Sequence, residues 1–270
     1  MLLSVRPSPL LEAHVAGYWF VRDIEGVYRG KPIITSPQPG GVLTINFGRP
    51  NAMVGGPVVP RVSLLGVQTE GRRWRSDTET FFVMVMLTCV GMASLLPGQG
   101  SNTVNRLVEL SALLGDRTTR ELAADVSARS GPASAAHALD EWLLRRLERS
   151  PPAREQALLG RACQLLGAGG SVQEVAEALA VSRRHLGRWF ETHVGLGPKA
   201  IRNLQRFRDS LHAVQRREGD ALAGFSDQAH QIREWRRRIG FTPSRYTRTA
   251  PSPMASYFNS SSRSAPPFYL

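Results

Sequence analysis

The sequence predicts an α+β chain: a β-rich barrel or sandwich, then an all-α half built around a duplicated unit. Three observations carry this. Between Val15 and Val90, short runs of β-branched and aromatic residues are separated by Pro- and Gly-rich clusters, the mark of strands broken by turns. Beyond Ala135 the apolar residues recur at helical spacing. In the second half one helical phrase occurs twice, displaced by 45 residues.

The 270 residues, 42% of them hydrophobic, suffice for two buried cores. Met1 to Leu10 holds an arginine and two prolines and no sustained apolar run, so a secretory signal is not expected. The most apolar stretch, Phe81 to Val90, is ten residues long, about half of what a spanning helix needs. A cytoplasmic protein without membrane contact is the expectation. Two cysteines, Cys89 and Cys163, make no disulfide framework and no all-cysteine zinc site; both are expected as reduced core thiols.

Strands are predicted at Tyr18–Val21, Val42–Phe47, Val62–Leu65 and Phe81–Val90. They suit a small antiparallel barrel or sandwich over residues 1–115. A helical connector is predicted over 116–152, where Ala135, Leu139, Trp142, Leu143 and Leu147 share one face. That face fits its own barrel or a second subunit equally. Ser150-Pro151-Pro152 ends the helix and marks a boundary. Residues 153–249 read as helical, and the Ser- and Pro-rich stretch 250–270 as a disordered tail.

The charge is asymmetric. Residues 1–150 carry 16 basic and 13 acidic side chains, a net +3, whereas 151–270 carry 18 and 9, a net +9. Arg183 to Arg248 alone holds 15 bases and 6 acids. Positive charge confined to one segment points to a polyanion contacted there, nucleic acid above all.

Within that segment, Ser171-Val172-Gln173-Glu174 has the form of a capping box. Val172, Val175, Ala176 and Leu179 give the following helix one apolar face. Ser182 is a suitable N-cap for a second helix that carries Leu186, Phe190 and Val194 inward and Arg183, Arg184 and Arg188 outward. Two short helices across a tight turn make a helix-turn-helix, whose second helix fits a major groove about 12 Å wide. The duplicate then aligns His185 with His230, Arg188 with Arg233, Phe190 with Trp235, Val194 with Ile239, Gly195 with Gly240 and Pro198 with Pro243. Two such helices in one chain suit successive major grooves. The units span about residues 171–198 and 217–246.

These residues resemble the AraC/XylS family of bacterial transcription regulators. The likeness is carried by Val175 to Phe190 and by Gly224-Phe225-Ser226-Asp227-Gln228-Ala229-His230, continuing to Gly240-Phe241-Thr242-Pro243-Ser244-Arg245-Tyr246. A weaker likeness makes residues 1–115 similar to the cupin-like sensory domain of one branch of that family. The resemblance implies sequence-specific binding of double-stranded DNA and control of transcription, gated by the first domain. It also implies a small-molecule effector in that domain, a homodimer and RNA polymerase as further partners, and no cofactor.

The residues expected to touch DNA are Ser182, Arg183, Arg184, His185 and Arg188 in the first unit and Gln228, His230 and Arg233 in the second. Arg184 and Arg188, four apart, share a helix face. Arginine reads guanine O6 and N7 and glutamine reads adenine N6 and N7; Arg183, at the helix start, suits a phosphate. The two histidines suit a phosphate contact or a brace on the turn. Arg236-Arg237-Arg238 reads as a solvated run or a backbone contact, and Arg72, Arg73 and Arg75 around Trp74 as a surface turn or an anion pocket.

Three departures from the family pattern stand out. Ala180 replaces a turn glycine, Gln231 replaces an inward apolar residue, and only Arg217 to Ala223 separates Arg216 from Gly224. That is too short for a full supporting helix ahead of the second recognition helix. A decayed regulator acting as a protein-interaction module is the alternative this motivates. An enzyme is not expected. There is no Gly-x-Ser-x-Gly, no His-Glu-x-x-His and no Gly-Lys-Ser/Thr loop, and His14, the one histidine among the first 130 residues, makes no metal site.

Overall fold

The computed structural model describes residues 1–149, 153–222, 224–249, 254–256 and 268–270. The predicted boundary at Ser150-Pro151-Pro152 lies outside them. The first part contains β1 (Leu2–Val5), β2 (Val15–Asp23), β3 (Ile33–Thr35), β4 (Val42–Asn46), β5 (Ala52–Met53), β6 (Val62–Leu65), β7 (Arg72–Arg75) and β8 (Thr80–Leu87). It continues through α1 (Cys89–Leu95), α2 (Gly100–Thr103), β9 (Leu107–Glu109), α3 (Ser111–Leu114), α4 (Asp116–Ser127) and α5 (Pro132–Glu148). Six strands form an antiparallel sheet in the order β1-β2-β8-β4-β6-β9, and three form a smaller one, β3-β7-β5.

The central strands of the large sheet are buried on both faces, which explains why β8 reads as an unbroken apolar run. Val83, Val85 and Leu87 point to one side, with Tyr18, Phe20, Leu43 and Ile45. Phe82, Met84 and Met86 point to the other, with Trp19, Val21 and Trp74, into the space between the sheets. The predicted run to Val90 stops early because the Thr88 hydroxyl accepts the Gly91 amide at 3.0 Å and caps α1. Arg72–Arg75 is a strand rather than a turn or pocket: Trp74 is buried, and its indole donates to Thr35 at 3.0 Å.

The segment read as a connector belongs to the first core. Leu122 and Val126 of α4, with Leu139, Trp142 and Leu143 of α5, pack on the large sheet. So α5 covers its own barrel. Tyr18 donates to the Asp140 carboxylate at 2.6 Å, pinning β2 to α5. Burial, then that carboxylate, raises the Tyr18 pKa far above the usual phenol range.

The second part holds α6 (Ala153–Gly167), α7 (Val172–Ala178), α8 (Arg183–His193), α9 (Pro198–Arg216), α10 (Gln228–Ile239) and α11 (Pro243–Arg248). Its first core unites Leu159, Leu166, Val175, Leu186, Phe190 and Ile201 with Val67, Cys89 and Ala93 from the first part. The two parts therefore share buried surface. Cys89 and Cys163 are both free thiols in this region. Gly100 of α2 meets Gly195 beyond α8 so closely that a Cβ on Gly195, which has φ 95°, would lie 2.4 Å from the Gly100 oxygen. Among the described residues, no helix is long and apolar enough to cross a membrane.

The expectation of a disordered tail fails for its described residues. Met254, Ala255, Phe268 and Tyr269 are buried in the space between the sheets, and Leu270 in the core around Trp235. These few apolar side chains lie among Ser and Pro, and the composition average concealed them.

Candidate nucleic-acid interface

The first unit is built as its sequence dictates. The Ser171 side chain accepts the Glu174 amide at 3.2 Å and the Glu174 carboxylate accepts the Ser171 amide at 2.7 Å, closing the capping box of α7. That amide and the Ser171 hydroxyl hold the Glu174 pKa below the ordinary carboxylate value. The turn to α8 passes through Ala180 at φ 53°, the left-handed region. An alanine is strained there. Ala180→Gly is expected to raise the stability of the chain by about 1 kcal/mol, read as a rise in the denaturation midpoint with unchanged slope.

Ser182 accepts the His185 amide at 3.1 Å and caps α8. Leu186, Phe190 and Val194 are wholly buried. Arg183, Arg184, His185 and Arg188 are exposed in consequence, and a Cβ on Gly187 would meet nothing within 4 Å. Among the described residues, no hydrogen bond or ion pair engages the guanidinium groups of Arg184 or Arg188. Two uncommitted cations therefore stand on one face of an anchored helix, beside a glycine that leaves room for close approach.

The second unit repeats this start. Asp227, 45 residues after Ser182, accepts the His230 amide at 2.7 Å and caps α10. That amide, then the Ser226 hydroxyl, lowers the Asp227 pKa. The cap's contribution is therefore complete above about pH 4 and is lost as pH falls through the depressed folded value. Protection of the His230 amide is expected to drop on acidification in the native chain, and to lose this dependence in Asp227→Asn, as hydrogen exchange would show.

Among the described residues between α9 and α10, 217–222 and 224–227, there is no helix, only turns and bends, with left-handed Arg217, Gly219 and Gly224. The support comes instead from Gln231, the second departure. Its buried amide donates to Ser210 of α9 at 3.1 Å and to the Ala221 carbonyl at 2.6 Å. Ser210 donates to the same carbonyl at 2.6 Å and accepts the Trp235 indole at 3.1 Å. Arg206 reaches the Gly224 carbonyl at 2.6 Å and stacks 5.0 Å over Phe225. A polar network thus replaces a missing helix.

Gln228 and Arg233 are exposed, whereas His230 is half-buried, its Nδ1 3.1 Å from the Ser226 hydroxyl and its ring edge-on to Phe225. His230 braces the turn. Of the arginine run, Arg236 and Arg237 are exposed and Arg238 is only 4% exposed. Arg238 pairs with Glu234 at 3.0 Å and donates to the Thr69 carbonyl at 3.0 Å, reaching into the first part. Neither this contact nor the Gln231 network was legible in the sequence.

The profile of a helix-turn-helix domain family matches residues 175–249. No curated protein sequence matches the chain. Among solved structures the chain is similar to ToxT from Vibrio cholerae O395, with a TM-score of 0.43 and 10% identity, covering 85% of this chain and 96% of that one. It is also similar to ToxT bound to (E)-4-(8-methylnaphthalen-1-yl)but-3-enoic acid, with a TM-score of 0.45, 10% identity and the same coverage. For unsaturated fatty acid-bound ToxT of strain SCE256 the TM-score is 0.42 at 10% identity, covering 85% and 93%. The match over residues 175–249 takes in α8, α10 and both Gly-x-x-Pro exits, and identifies this part of the chain as a helix-turn-helix domain.

Proposed function

We propose that the chain binds duplex DNA sequence-specifically by laying α8 and α10 along two successive major grooves. The observation that carries this reading is the outward, unpartnered pair Arg184 and Arg188 on a helix whose other face is locked by Leu186 and Phe190. Arg184 and Arg188 read base edges, Arg183 takes a phosphate, and Gln228 and Arg233 supply the second reading surface. The 19 residues of α9 join the units. At 1.5 Å per residue that is about 28 Å, near the 34 Å between successive grooves on one face of the duplex.

The interaction-module alternative rests on the short segment 217–223; the hydrogen bonds of Gln231 to Ser210 and Ala221 favour the DNA-binding reading over it. The first domain gates the second, and an effector or a second copy of the chain acts there. The shared core of Val67, Cys89 and Ala93 with Leu186 and Phe190 supports that coupling. Selection of bound fragments from random duplex DNA tests the proposal. The expected product is two conserved blocks with centres about 10–11 base pairs apart. One block alone would eliminate α10 as a reader, and no enrichment would eliminate sequence-specific binding.

A further inference from the structure

We propose that the space between the two β sheets is a binding site whose ligand is the chain's own Phe268–Leu270 segment, and that the seated segment straps the second helix-turn-helix unit to the β domain. The seat is an edge. β3 closes one side of the small sheet, with β7 on its other flank, so its outer backbone groups are open to a further strand. The segment takes them: the Ser36 amide donates to the Phe268 carbonyl at 2.7 Å, the Leu270 amide donates to the Ile34 carbonyl at 2.9 Å, and Tyr269 pairs antiparallel with Thr35. This is recognition by strand addition, in which main-chain bonds give affinity and side-chain pockets give selectivity.

The pockets differ in kind. Phe268 and Tyr269 enter the inter-sheet core beside Trp74, Phe82 and Met84, where they line a remaining cavity. The Tyr269 hydroxyl lies 3.8 Å from the Met84 sulfur. Leu270 instead enters the core of the second unit with Phe207, Leu211 and Trp235, against which Ile34 of β3 also packs. Gln215 of α9 adds a hydrogen bond to the Tyr269 carbonyl at 3.2 Å. Three residues thus hold both bodies at once. Next to them the Gly71 amide donates to the Arg238 carbonyl at 2.7 Å, which together with the Arg238–Thr69 bond fixes the last turn of α10 on the loop before β7. The segment is a tethered ligand, and its departure would free that turn.

The site can be tested without DNA. In the full chain carrying Phe268→Ser and Tyr269→Ser, hydrogen exchange at the Ser36 and Gly71 amides should quicken at least about tenfold while the β8 amides stay protected. A synthetic peptide of residues 264–270 should bind this variant and restore slow exchange at Ser36. The same peptide should not bind the unsubstituted chain, whose site is filled. Unchanged exchange in the variant, or a folded variant that ignores the peptide, would overturn the proposal. The unsubstituted chain provides a second readout that requires no variant to fold: Ser36 and Gly71 should open with the same free energy and the same denaturant dependence, as one strap. Independent opening of the two amides would equally overturn it.

Discussion

Replacing Arg184 and Arg188 together by alanine is expected to weaken binding to the selected duplex by about 10²–10³-fold, from a loss of about 3–4 kcal/mol over two base-reading contacts. The two side chains are exposed, so folding should survive: the melting midpoint should stay within about 2 °C of the native value. Fluorescence anisotropy on the selected duplex and on a scrambled one separates readout from simple attraction. If the arginines read bases, the specific complex loses most of this energy and the scrambled one little. Equal losses would reassign both to phosphates. Arg117→Ala on α4, where the side chain only pairs with Glu121 on the surface, should change neither affinity.

The largest effect on stability is expected at Gln231. Its amide is buried and makes two hydrogen bonds that tie α10 to α9 and to the turn at Ala221. Gln231→Ala removes both bonds, leaves the Ala221 carbonyl with the Ser210 hydroxyl as its remaining donor, and opens a void beside Trp235. Each lost hydrogen bond costs about 0.5–1.5 kcal/mol and the void adds to it; the expected loss is about 2–4 kcal/mol, measured by urea unfolding. Gln231→Leu, the residue type the family pattern suggests, fills the void and still loses the bonds, so it should recover only part of the deficit. The network further predicts that Ser210→Ala and Gln231→Ala are non-additive, because both act on the same cluster. Hydrogen exchange should show α10 loosened in each variant and α8 unchanged.

What the sequence made legible follows from length and repetition. The runs of β2, β4, β6 and β8 are long enough to show their apolar character, and their burial on both faces made it stronger. β3, β5 and β9 have three residues or fewer, too short for any period to emerge. β7 was hidden for another reason: three of its four residues are arginines, with Trp74 alone facing inward. The first helix-turn-helix was readable because its caps, Ser171 and Ser182, act within three residues of themselves. The strain at Ala180 was readable too, since a turn glycine implies a positive φ. Gln231 showed as an anomaly whose partners could not be named, because Ser210 and Ala221 are brought to it by the packing of α9. Arg238 and Phe268–Leu270 were misjudged for the same reason. Their partners, Thr69 and Ile34, are at least 169 residues away in the chain.

The measurement closest to the central claim is the affinity of the full chain for its selected duplex as salt is raised from about 50 to 200 mM. A helix and flanking arginines seated in a groove displace counterions, so log affinity should fall linearly with log salt at about −0.9 per phosphate neutralised. Four to six phosphates would give a slope of about −4 to −5, made shallower by Arg183→Ala. A slope near zero, with affinity indifferent to salt, would mean that α8 does not meet DNA through its exposed arginines.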